Sequence, residues 1–309
     1  MAYYLAVDAG GTKAEFLLAD EEREIERVRC GTIKRTNTDE AQARANLERA
    51  LEELEQRTGV NPAQVKRTCI GTSGETVPLV TDWLRESFRA RVGGELAIVG
   101  DVEIALDAAF QGGRGVLVLA GTGSNVAARD GHGAILRSGG WGPMLADQGA
   151  GHWIGLEGLR RGFLARDEGR ATDLLERARK LWKLPSEDAL IEFANAQPPQ
   201  RYASQFAKEV AAAADAGDRI AAEILEQGGR DLAYLAGLLI ERMRANEGAD
   251  FRVPDVARAG SIMKNAVREV DALENALRAR YPEIGFVAEA VDPIRGALWR
   301  AMQSAVNFT

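Results

Sequence analysis

Two segments of this chain share one arrangement, in which a buried strand, a turn of small residues and a second strand follow each other. Near residues 3–19, an apolar run ends at Asp8, and the pair Gly10-Gly11 leads into the next strand. Near residues 116–136, an apolar run is followed by Gly121-Thr122-Gly123-Ser124 and then by further strands. Short turns of this kind between apolar runs are typical of β-hairpins. The repetition indicates an internal duplication of topology, although not of sequence.

Helical patterns separate and follow these hairpins. Residues 39–58 place Leu47, Leu51 and Leu54 on one helix face, at the spacing expected of an amphipathic helix. Short strands are expected at 68–71, 96–99 and 256–259. From about residue 155 the chain is mostly helical. Further helices are expected at 77–90, 102–110, 218–246 (where Gly228-Gly229 could introduce a bend), 262–280 and 296–306.

The charge and composition limit the classes of partner. The 309 residues include 39 Lys and Arg against 46 Asp and Glu, which gives a net charge of −7. No overall field attracts such a chain to nucleic acid or to an anionic membrane, so neither partner is expected. The two cysteines cannot form a disulfide framework. With no signal-like start and no apolar run near the ~20 residues that span a bilayer, the expected location is the cytoplasm.

The first candidate site is the segment Asp8-Ala9-Gly10-Gly11-Thr12-Lys13. Glycines let the backbone approach a phosphate and present successive N–H donors, and Thr12 adds a hydroxyl. Asp8, at the end of a buried strand, can hold Mg²⁺ through the water shell of the ion. Taken alone, the segment favours a simpler structure, a hairpin turn closed by an aspartate side chain.

Two further glycine-containing turns are candidates for nucleotide binding. The segment Gly121-Thr122-Gly123-Ser124-Asn125 can wrap the terminal phosphates from the opposite side. The segment Ala257-Arg258-Ala259-Gly260-Ser261 joins a strand to a helix and can lie flat against adenine or ribose. Each is also consistent with an ordinary tight turn. The turns at Gly10-Gly11 and at residues 121–124 both follow a buried strand, however, and this coincidence is hard to attribute to chance.

Gly100-Asp101 is the candidate for general base catalysis. A carboxylate just beyond the carboxyl end of a strand, and before a helix, lies where α/β sheets bind their ligands. Asp101 is therefore well placed to accept a proton from a substrate hydroxyl. The alternative is that Asp101 only caps the helix at 102–110, as aspartate often does at this position.

The fourteen residues from Ser138 to Gly151 contain five glycines and a proline, which makes a regular helix unfavourable. We expect a buried loop in which the aromatic face of Trp141 and the carboxylate of Asp147 bind a sugar. The alternative is a flexible surface loop, against which the tryptophan argues.

The order of these motifs resembles the ATPase superfamily that includes actin, hexokinase and the heat-shock chaperone ATPases. The chain is most similar to the N-acetylglucosamine kinases within the BadF/BadG/BcrA/BcrD-type ATPase family. The most specific segments are residues 121–125 and Gly139-Gly140-Trp141-Gly142, with Asp147 and Gly149 following. The resemblance implies an α/β, two-lobed actin-like (ribonuclease H-like) fold with duplicated mixed β-sheets, flanking helices and a cleft between lobes. It implies an N-terminal lobe of residues 1–112, on which a C-terminal helix at about 296–309 packs, and a C-terminal lobe of residues 113–295.

The resemblance also implies roles for single residues. Asp101 matches the catalytic base and Asp8 the residue that holds the metal. The positions that match ATP-binding residues are Gly10, Gly11, Thr12, Lys13, Gly121, Thr122, Gly123, Ser124, Gly260 and Ser261. The positions that match sugar-contacting residues are Asn37, Asn125, Ser138, Trp141 and Asp147.

Three positions depart from the family pattern or allow a second role. Members of the family often have Asp-Glu-Gly where this chain has Asp147-Gln148-Gly149. Ser138 stands where some relatives have cysteine, which leaves open how the acetamido group is recognised. Asn37 could instead cap a helix together with Glu40, three residues later.

The expected reaction is in-line phosphoryl transfer from MgATP to an amino sugar, with N-acetylglucosamine converted to its 6-phosphate as the leading case. Glucosamine, N-acetylmannosamine and N-acetylmuramic acid remain open as substrates. One alternative is an ATPase activator of a redox enzyme of the 2-hydroxyacyl-CoA dehydratase type, although Cys30 and Cys69 lack the setting of a shared iron–sulfur cluster. Another is a sugar sensor without turnover, against which the presence of both Asp8 and Asp101 argues. The resemblance suggests a homodimer.

Overall fold

The structure is a computed structural model that describes residues 2–199 and 202–303. The chain divides into two compact units, of which the first comprises Met1–Gly113 with Val291–Thr309 and the second Arg114–Ala290. Each unit contains one mixed β-sheet with helices. The predicted α/β class with two mixed sheets is confirmed.

The first unit contains five strands, which are β1 (Tyr3–Ala9), β2 (Lys13–Ala19), β3 (Glu24–Gly31), β4 (Val65–Thr72) and β5 (Glu95–Gly100). Their order in the sheet is β3-β2-β1-β4-β5. β1 runs parallel to β4, β4 runs parallel to β5, and β2 is antiparallel to both of its neighbours. The helices of this unit are α1 (Glu40–Thr58), α2 (Pro78–Arg89), α3 (Asp101–Phe110) and α11 (Pro293–Met302).

Alternating residues of the central strands build a core on each face of this sheet, because successive side chains of a strand point to opposite faces. On one face, Phe16 packs in a cluster with Leu47 of α1 and Phe88 of α2. On the other face, Tyr4 and Leu17 pack with residues of α3 and α11. In register, Asp8 of β1 faces Gly71 of β4, and Thr72 faces Gly100 of β5. The residues that follow these three strands therefore lie along one edge of the sheet.

The second unit contains four strands, which are β6 (Gly115–Ala120), β7 (Ser124–Arg129), β8 (Ile135–Ser138) and β9 (Val256–Ala259). Their order is β8-β7-β6-β9, with β6 and β9 parallel and the other two pairs antiparallel. The helices are α4 (Gly151–Asp167), α5 (Leu174–Leu181), α6 (Glu187–Ala196), α7 (Ala203–Asp215), α8 (Arg219–Glu247), α9 (Ser261–Asn265) and α10 (Val267–Arg280). One cluster of apolar side chains joins this sheet to α8, α9 and α10. A second cluster joins α4, α5, α6 and α7 to α8.

The structure differs from the sequence expectations at four elements. Strand β3 was not expected, because the charged residues of Glu24–Gly31 mask its alternation. The helix expected at 262–280 is divided at Ala266 into α9 and α10. Helix α8 runs without interruption through Gly228-Gly229. The last helix begins at Pro293, three residues earlier than expected, because proline fits the first turn of a helix; its predicted extension over residues 304–309 lies outside the described residues.

Over the described ranges 2–199 and 202–303, no helix has both the length and the apolar composition needed to cross a membrane.

Candidate active site

In the first unit, Asp8 lies among other carboxylates at the sheet edge where β1 ends. Burial raises the pKa of Asp8 to about 7, and the carboxylates of Asp101, Glu15 and Asp292 act in the same direction, with Lys13 opposing. Arg27 binds two members of this group, donating to Glu15 at 3.2 Å and to Asp292 at 2.7 Å. Arg29 also donates to Glu15, at 3.0 Å. Asp8 is thus a buried carboxylate whose charged form is disfavoured, and a cation beside it would stabilise that form.

The residues present fit a magnesium ion that keeps most of its water. Within the described residues, no three His, Cys, Asp or Glu side chains are grouped closely enough to hold a metal ion on their own. Mg²⁺ binds preferentially through one or two carboxylates and retained waters, often together with phosphate oxygens. The negative charge around Asp8 suits this mode of binding.

Asp101 is the first residue of α3, directly after the end of β5. Gly100 occupies the N-cap position of this helix, and Asp101 lies in its first turn. The Asp101 Oδ1 atom accepts a hydrogen bond from the N–H of Val102 at 2.8 Å. Because the side chain is only half-buried, it stays accessible to a substrate hydroxyl at this edge.

The loop of residues 32–38 lies against the first glycine turn (residues 10–12). The Thr32 hydroxyl donates to the carbonyl of Gly10 at 2.8 Å, and the Asn37 amide lies 3.3 Å from the position that a Cβ on Gly11 would take. Helix α1 is capped by Asp39, whose side chain accepts from Gln42 N–H. The alternative role of Asn37 as a helix cap is therefore wrong, and its exposed side chain borders the glycine turn.

In the second unit, the second glycine turn (residues 121–124) joins β6 to β7. Its carbonyl groups are held by the start of α4, since Gly151 N–H donates to Gly121 at 2.8 Å and His152 N–H donates to Thr122 at 3.1 Å. The Ser124 hydroxyl donates to the Gln148 carbonyl at 2.8 Å. These bonds fix the turn and leave Thr122 exposed.

The turn predicted to bind adenosine lies beside the second glycine turn. Gly260 has a φ of 95° and packs directly against the Ala120 carbonyl at the end of β6. The Ser261 hydroxyl oxygen is 3.9 Å from the position of a Cβ on Gly121. A side chain at residue 260 would be excluded by both the backbone conformation and the contact.

The tryptophan loop (residues 138–151) brings Asp147 to the second glycine turn. Burial raises the pKa of Asp147, whereas hydrogen bonds from the N–H groups of Ser124 and Gly142 and the nearby His152 act against this shift. The Asn125 amide lies 2.7 Å from the position of a Cβ on Gly140. Ser138 pairs with Val126 at the end of β8. Asn125, Ser138 and Asp147 are thus on the same side of the second unit as the glycine turn.

The expectation that this loop is buried is right for Asp147 and wrong for Trp141. Asp147 is 6% exposed, but Trp141 is 75% exposed. Left-handed backbone at Gly139, Gly140 and Gly142 carries the chain away from the sheet on both sides of the tryptophan. The aromatic face predicted to stack on a sugar is therefore presented to solvent.

Several buried polar atoms around this loop have no hydrogen-bond partner among the described residues. They are Asn125 Oδ1, Gln148 Oε1, His152 Nε2 and both carboxyl oxygens of Glu269. Buried polar atoms in native proteins are rarely left without a partner. A polar ligand or an ordered water molecule is a suitable partner for Asn125 Oδ1 and Gln148 Oε1.

Sequence analysis missed Glu269, which is 0% exposed and supports the end of the tryptophan loop. Its Oε1 atom lies 2.5 Å from the position of a Cβ on Gly149 and 2.8 Å from that on Gly228. Burial raises the pKa of Glu269 well above its ordinary value, and the charge of Asp231 adds to this effect. Glu269 occurs in an otherwise ordinary charged helix segment, so no local signal distinguishes it.

We expect Glu269→Gln to reduce the loss of stability at rising pH. The folded state holds the Glu269 proton more tightly than the unfolded state, so stability is lost as pH rises above the ordinary glutamate pKa towards the folded one. Between pH 5 and 8, the free energy of unfolding should fall by about 1–3 kcal/mol more in the wild type than in the variant, as expected of a buried group without a partner. Urea unfolding at both pH values measures this. Glu283→Gln, at an exposed position, is the control; equal pH dependence in wild type and Glu269→Gln would contradict the prediction.

The fold and these turns define a class of protein. Two mixed sheets, each with a glycine turn after its first strand, form the actin-like ATPase fold seen in sugar kinases. The chain belongs to the BadF/BadG/BcrA/BcrD ATPase family, whose sequence profile matches residues 5–301. The family inferred from the sequence motifs is confirmed.

Individual relatives are similar over nearly the whole chain. An N-acetylmuramic acid/N-acetylglucosamine kinase of Clostridium acetobutylicum is 24% identical, covering 96% of this chain and 97% of its own. An N-acetyl-D-glucosamine kinase of Dictyostelium discoideum is 28% identical, with coverages of 97% and 98%. A crystal structure from Chromobacterium violaceum, provisionally assigned as an N-acetylglucosamine kinase, has a TM-score of 0.74 at 25% identity and covers 96% of this chain and 98% of its own.

Proposed function

We propose that this protein is an ATP-dependent sugar kinase that transfers the terminal phosphoryl group of ATP to a hydroxyl of an amino sugar. The observation that carries the proposal is the position of Asp101, a half-buried carboxylate at the sheet edge where β1 and its glycine turn also end. The names of the relatives support the same reaction class. N-acetyl-D-glucosamine, phosphorylated at its 6-hydroxyl, is the leading substrate.

The first unit supplies the base and the metal-holding carboxylate. Asp101 accepts the proton of the attacking hydroxyl, which raises the nucleophilicity of the oxygen as the phosphoryl group is transferred. Asp8 would hold Mg²⁺ through retained water, and the ion would supply positive charge that offsets the charge of the phosphate oxygens. Gly10, Gly11 and Thr12 present backbone and hydroxyl donors to phosphate, and Lys13 adds positive charge.

The second unit carries proposed nucleotide and sugar contacts of its own. Residues 121–124 bind phosphate, and Gly260-Ser261 binds adenosine. The carboxylate of Asp147 accepts hydrogen bonds from sugar hydroxyls, the amide of Asn125 donates and accepts them, and Ser138 and Trp141 are further sugar contacts of this unit. In the first unit, Asn37 is the proposed sugar contact. Because Asp147 already accepts from two backbone N–H groups, it is fixed in place before the sugar binds.

An activator of a redox enzyme is less compatible with the structure. Burial raises the pKa of Cys30 to about 11 and that of Cys69 to about 12. A thiolate is the form that binds iron, and burial in apolar surroundings disfavours it. Both cysteines lie inside the first unit and neither is exposed. A homodimer and a cytoplasmic location stay predictions.

The proposal is tested by ADP release with MgATP against glucose, glucosamine, N-acetylglucosamine, N-acetylmannosamine and N-acetylmuramic acid. We expect a selective response to N-acetylglucosamine, with phosphate found on the 6-hydroxyl by NMR of the product. A selective response to N-acetylmuramic acid would keep the kinase and change its substrate. ADP release that is independent of every sugar would reject the proposal.

A further inference from the structure

Lys34 lies at the candidate active site of the first unit, although no sequence motif includes it. The side chain is half-buried in the loop of residues 32–38. Its ammonium group donates a hydrogen bond to the Ser73 hydroxyl at 2.6 Å. Ser73 follows β4, which lies between the strands that end at Asp8 and Asp101. The lysine therefore reaches the same sheet edge as the predicted base.

The backbone of Lys34 is fixed on both sides by hydrogen bonds. Its N–H donates to the Thr32 hydroxyl at 3.1 Å, and that hydroxyl donates to the Gly10 carbonyl at 2.8 Å. Its carbonyl accepts from Asn37 N–H at 2.9 Å. Lys34 thus begins the turn that carries Asn37, and the turn is tied to the first glycine turn. These bonds fix where the Lys34 side chain starts, and its bond to Ser73 fixes where the ammonium group ends.

The Lys34 ammonium group lies near two carboxylates. Burial lowers the pKa of Lys34, and the carboxylates of Asp101 and then of Glu75 act against this shift. Glu75 lies in the turn after β4, where it accepts a hydrogen bond from Gly74 N–H at 3.1 Å. Asp101 is the carboxylate with the larger attraction, and its charge also raises the pKa of Asp8.

We propose that Lys34 is a positioning residue for phosphoryl transfer, whose ammonium group, held by Ser73, orients the Asp101 carboxylate towards the substrate hydroxyl. The inference rests on the proposed function. Thr72 pairs with Gly100 in the sheet, and Ser73 and Asp101 are the residues that directly follow this pair. The ammonium group that binds Ser73 is therefore placed to attract the Asp101 carboxylate and hold it at the substrate hydroxyl. During the reaction the O–H bond of the sugar breaks and an O–H bond forms on Asp101, while Lys34 keeps its own protons.

The kinetic test compares Lys34→Met with Lys34→Arg. Methionine keeps much of the side-chain volume but removes the charge, so we expect kcat to fall about 10- to 100-fold with the KM for ATP within about twofold of wild type. Arginine keeps the charge and should recover most of the loss. Lys66→Met, at an exposed position on β4, controls for the loss of a lysine. The proposal is overturned if Lys34→Met retains kcat within about twofold, or if Lys34→Arg is as impaired as Lys34→Met.

A second measurement needs no turnover. The Lys34 ammonium is titrated by NMR in the wild type and in Asp101→Asn. Removing the Asp101 charge should lower the pKa of Lys34 further, because burial then acts with less opposition; Asp82→Asn should leave it unchanged. An unchanged Lys34 pKa in Asp101→Asn overturns the proposal even if the enzyme is a sugar kinase. Sugar-independent ADP release with a normal Lys34 shift would reject the proposed function and, with it, the catalytic role of the pair.

Discussion

Asp101→Asn is expected to lower kcat for sugar-dependent ADP release by about 10²- to 10⁴-fold, the range associated with a positioned general base. Asparagine has nearly the same shape as aspartate, and its side-chain oxygen can still accept from Val102 N–H, which binds Asp101 Oδ1 at 2.8 Å in the wild type. The start of α3 should therefore stay intact. The amide cannot accept the proton of the attacking hydroxyl, so the loss falls on the chemical step.

Binding should be separable from catalysis in this variant. The Kd for MgATP, measured by calorimetry, should stay within about threefold of wild type, because the glycine turns are untouched. Asp82→Asn on α2 removes an equal charge at a position that pairs with Arg85 at 3.2 Å, and it should retain full activity. If Asp101→Asn turns over nearly as fast as the wild type, Asp101 is not the base.

The sequence predicts those parts of the site that are built from one short segment, because neighbouring residues then contain the complete motif. A glycine turn after an apolar strand is visible as a run of neighbouring residues, and residues 10–12 and 121–124 both occupy such turns. Gly100-Asp101 is read in the same way, since strand β5 and helix α3 meet at this dipeptide. At these residues, the preference of glycine and aspartate for turns and helix starts agrees with their position at the end of a strand. A prediction is dependable where such local preferences and the overall fold agree.

The parts that the sequence does not predict depend on contacts between distant segments. Lys34 contacts Ser73, 39 residues away, and nothing in the residues next to either one indicates the pair. Glu269 is buried because Gly149 and Gly228 leave room for its carboxyl group. A glutamate in a charged helix is otherwise interpreted as exposed. Trp141 shows the opposite error, since an aromatic residue in a glycine-rich loop suggested burial and is 75% exposed.

Helix α11 belongs to the first unit because it packs against α3 and the first sheet. Gly296 packs directly against the Ile104 carbonyl of α3, a contact that leaves no space for a larger residue. One turn later, Arg300 Nε donates to Asp107 Oδ2 at 2.6 Å, and Arg300 Nη1 lies 3.3 Å from Glu103. Since α3 begins with Asp101, the contacts of α11 also support the helix that carries the predicted base.

Arg300→Met is expected to lower the free energy of unfolding of the first unit by about 3–5 kcal/mol, the cost of breaking a buried ion pair by removing one partner. The Asp107 side chain is 0% exposed and that of Arg300 is 14% exposed, so water cannot replace the guanidinium at the carboxylate. Urea unfolding gives the total loss, and hydrogen exchange of α3 and α11 amides should locate it.

The double variant Arg300→Met with Asp107→Leu separates the charge from the packing. Replacing a buried ion pair by apolar residues of similar volume is often close to neutral, so the second substitution should recover much of the stability lost in the first. Arg85→Met breaks an exposed pair, with Arg85 39% and Asp82 65% exposed, and should cost at most about 1 kcal/mol. A loss in Arg300→Met no larger than in Arg85→Met would show that α11 is held by apolar packing and that Arg300 contributes little. A large loss that Asp107→Leu recovers would instead show that the buried carboxylate makes α3, and the predicted base at its start, dependent on α11.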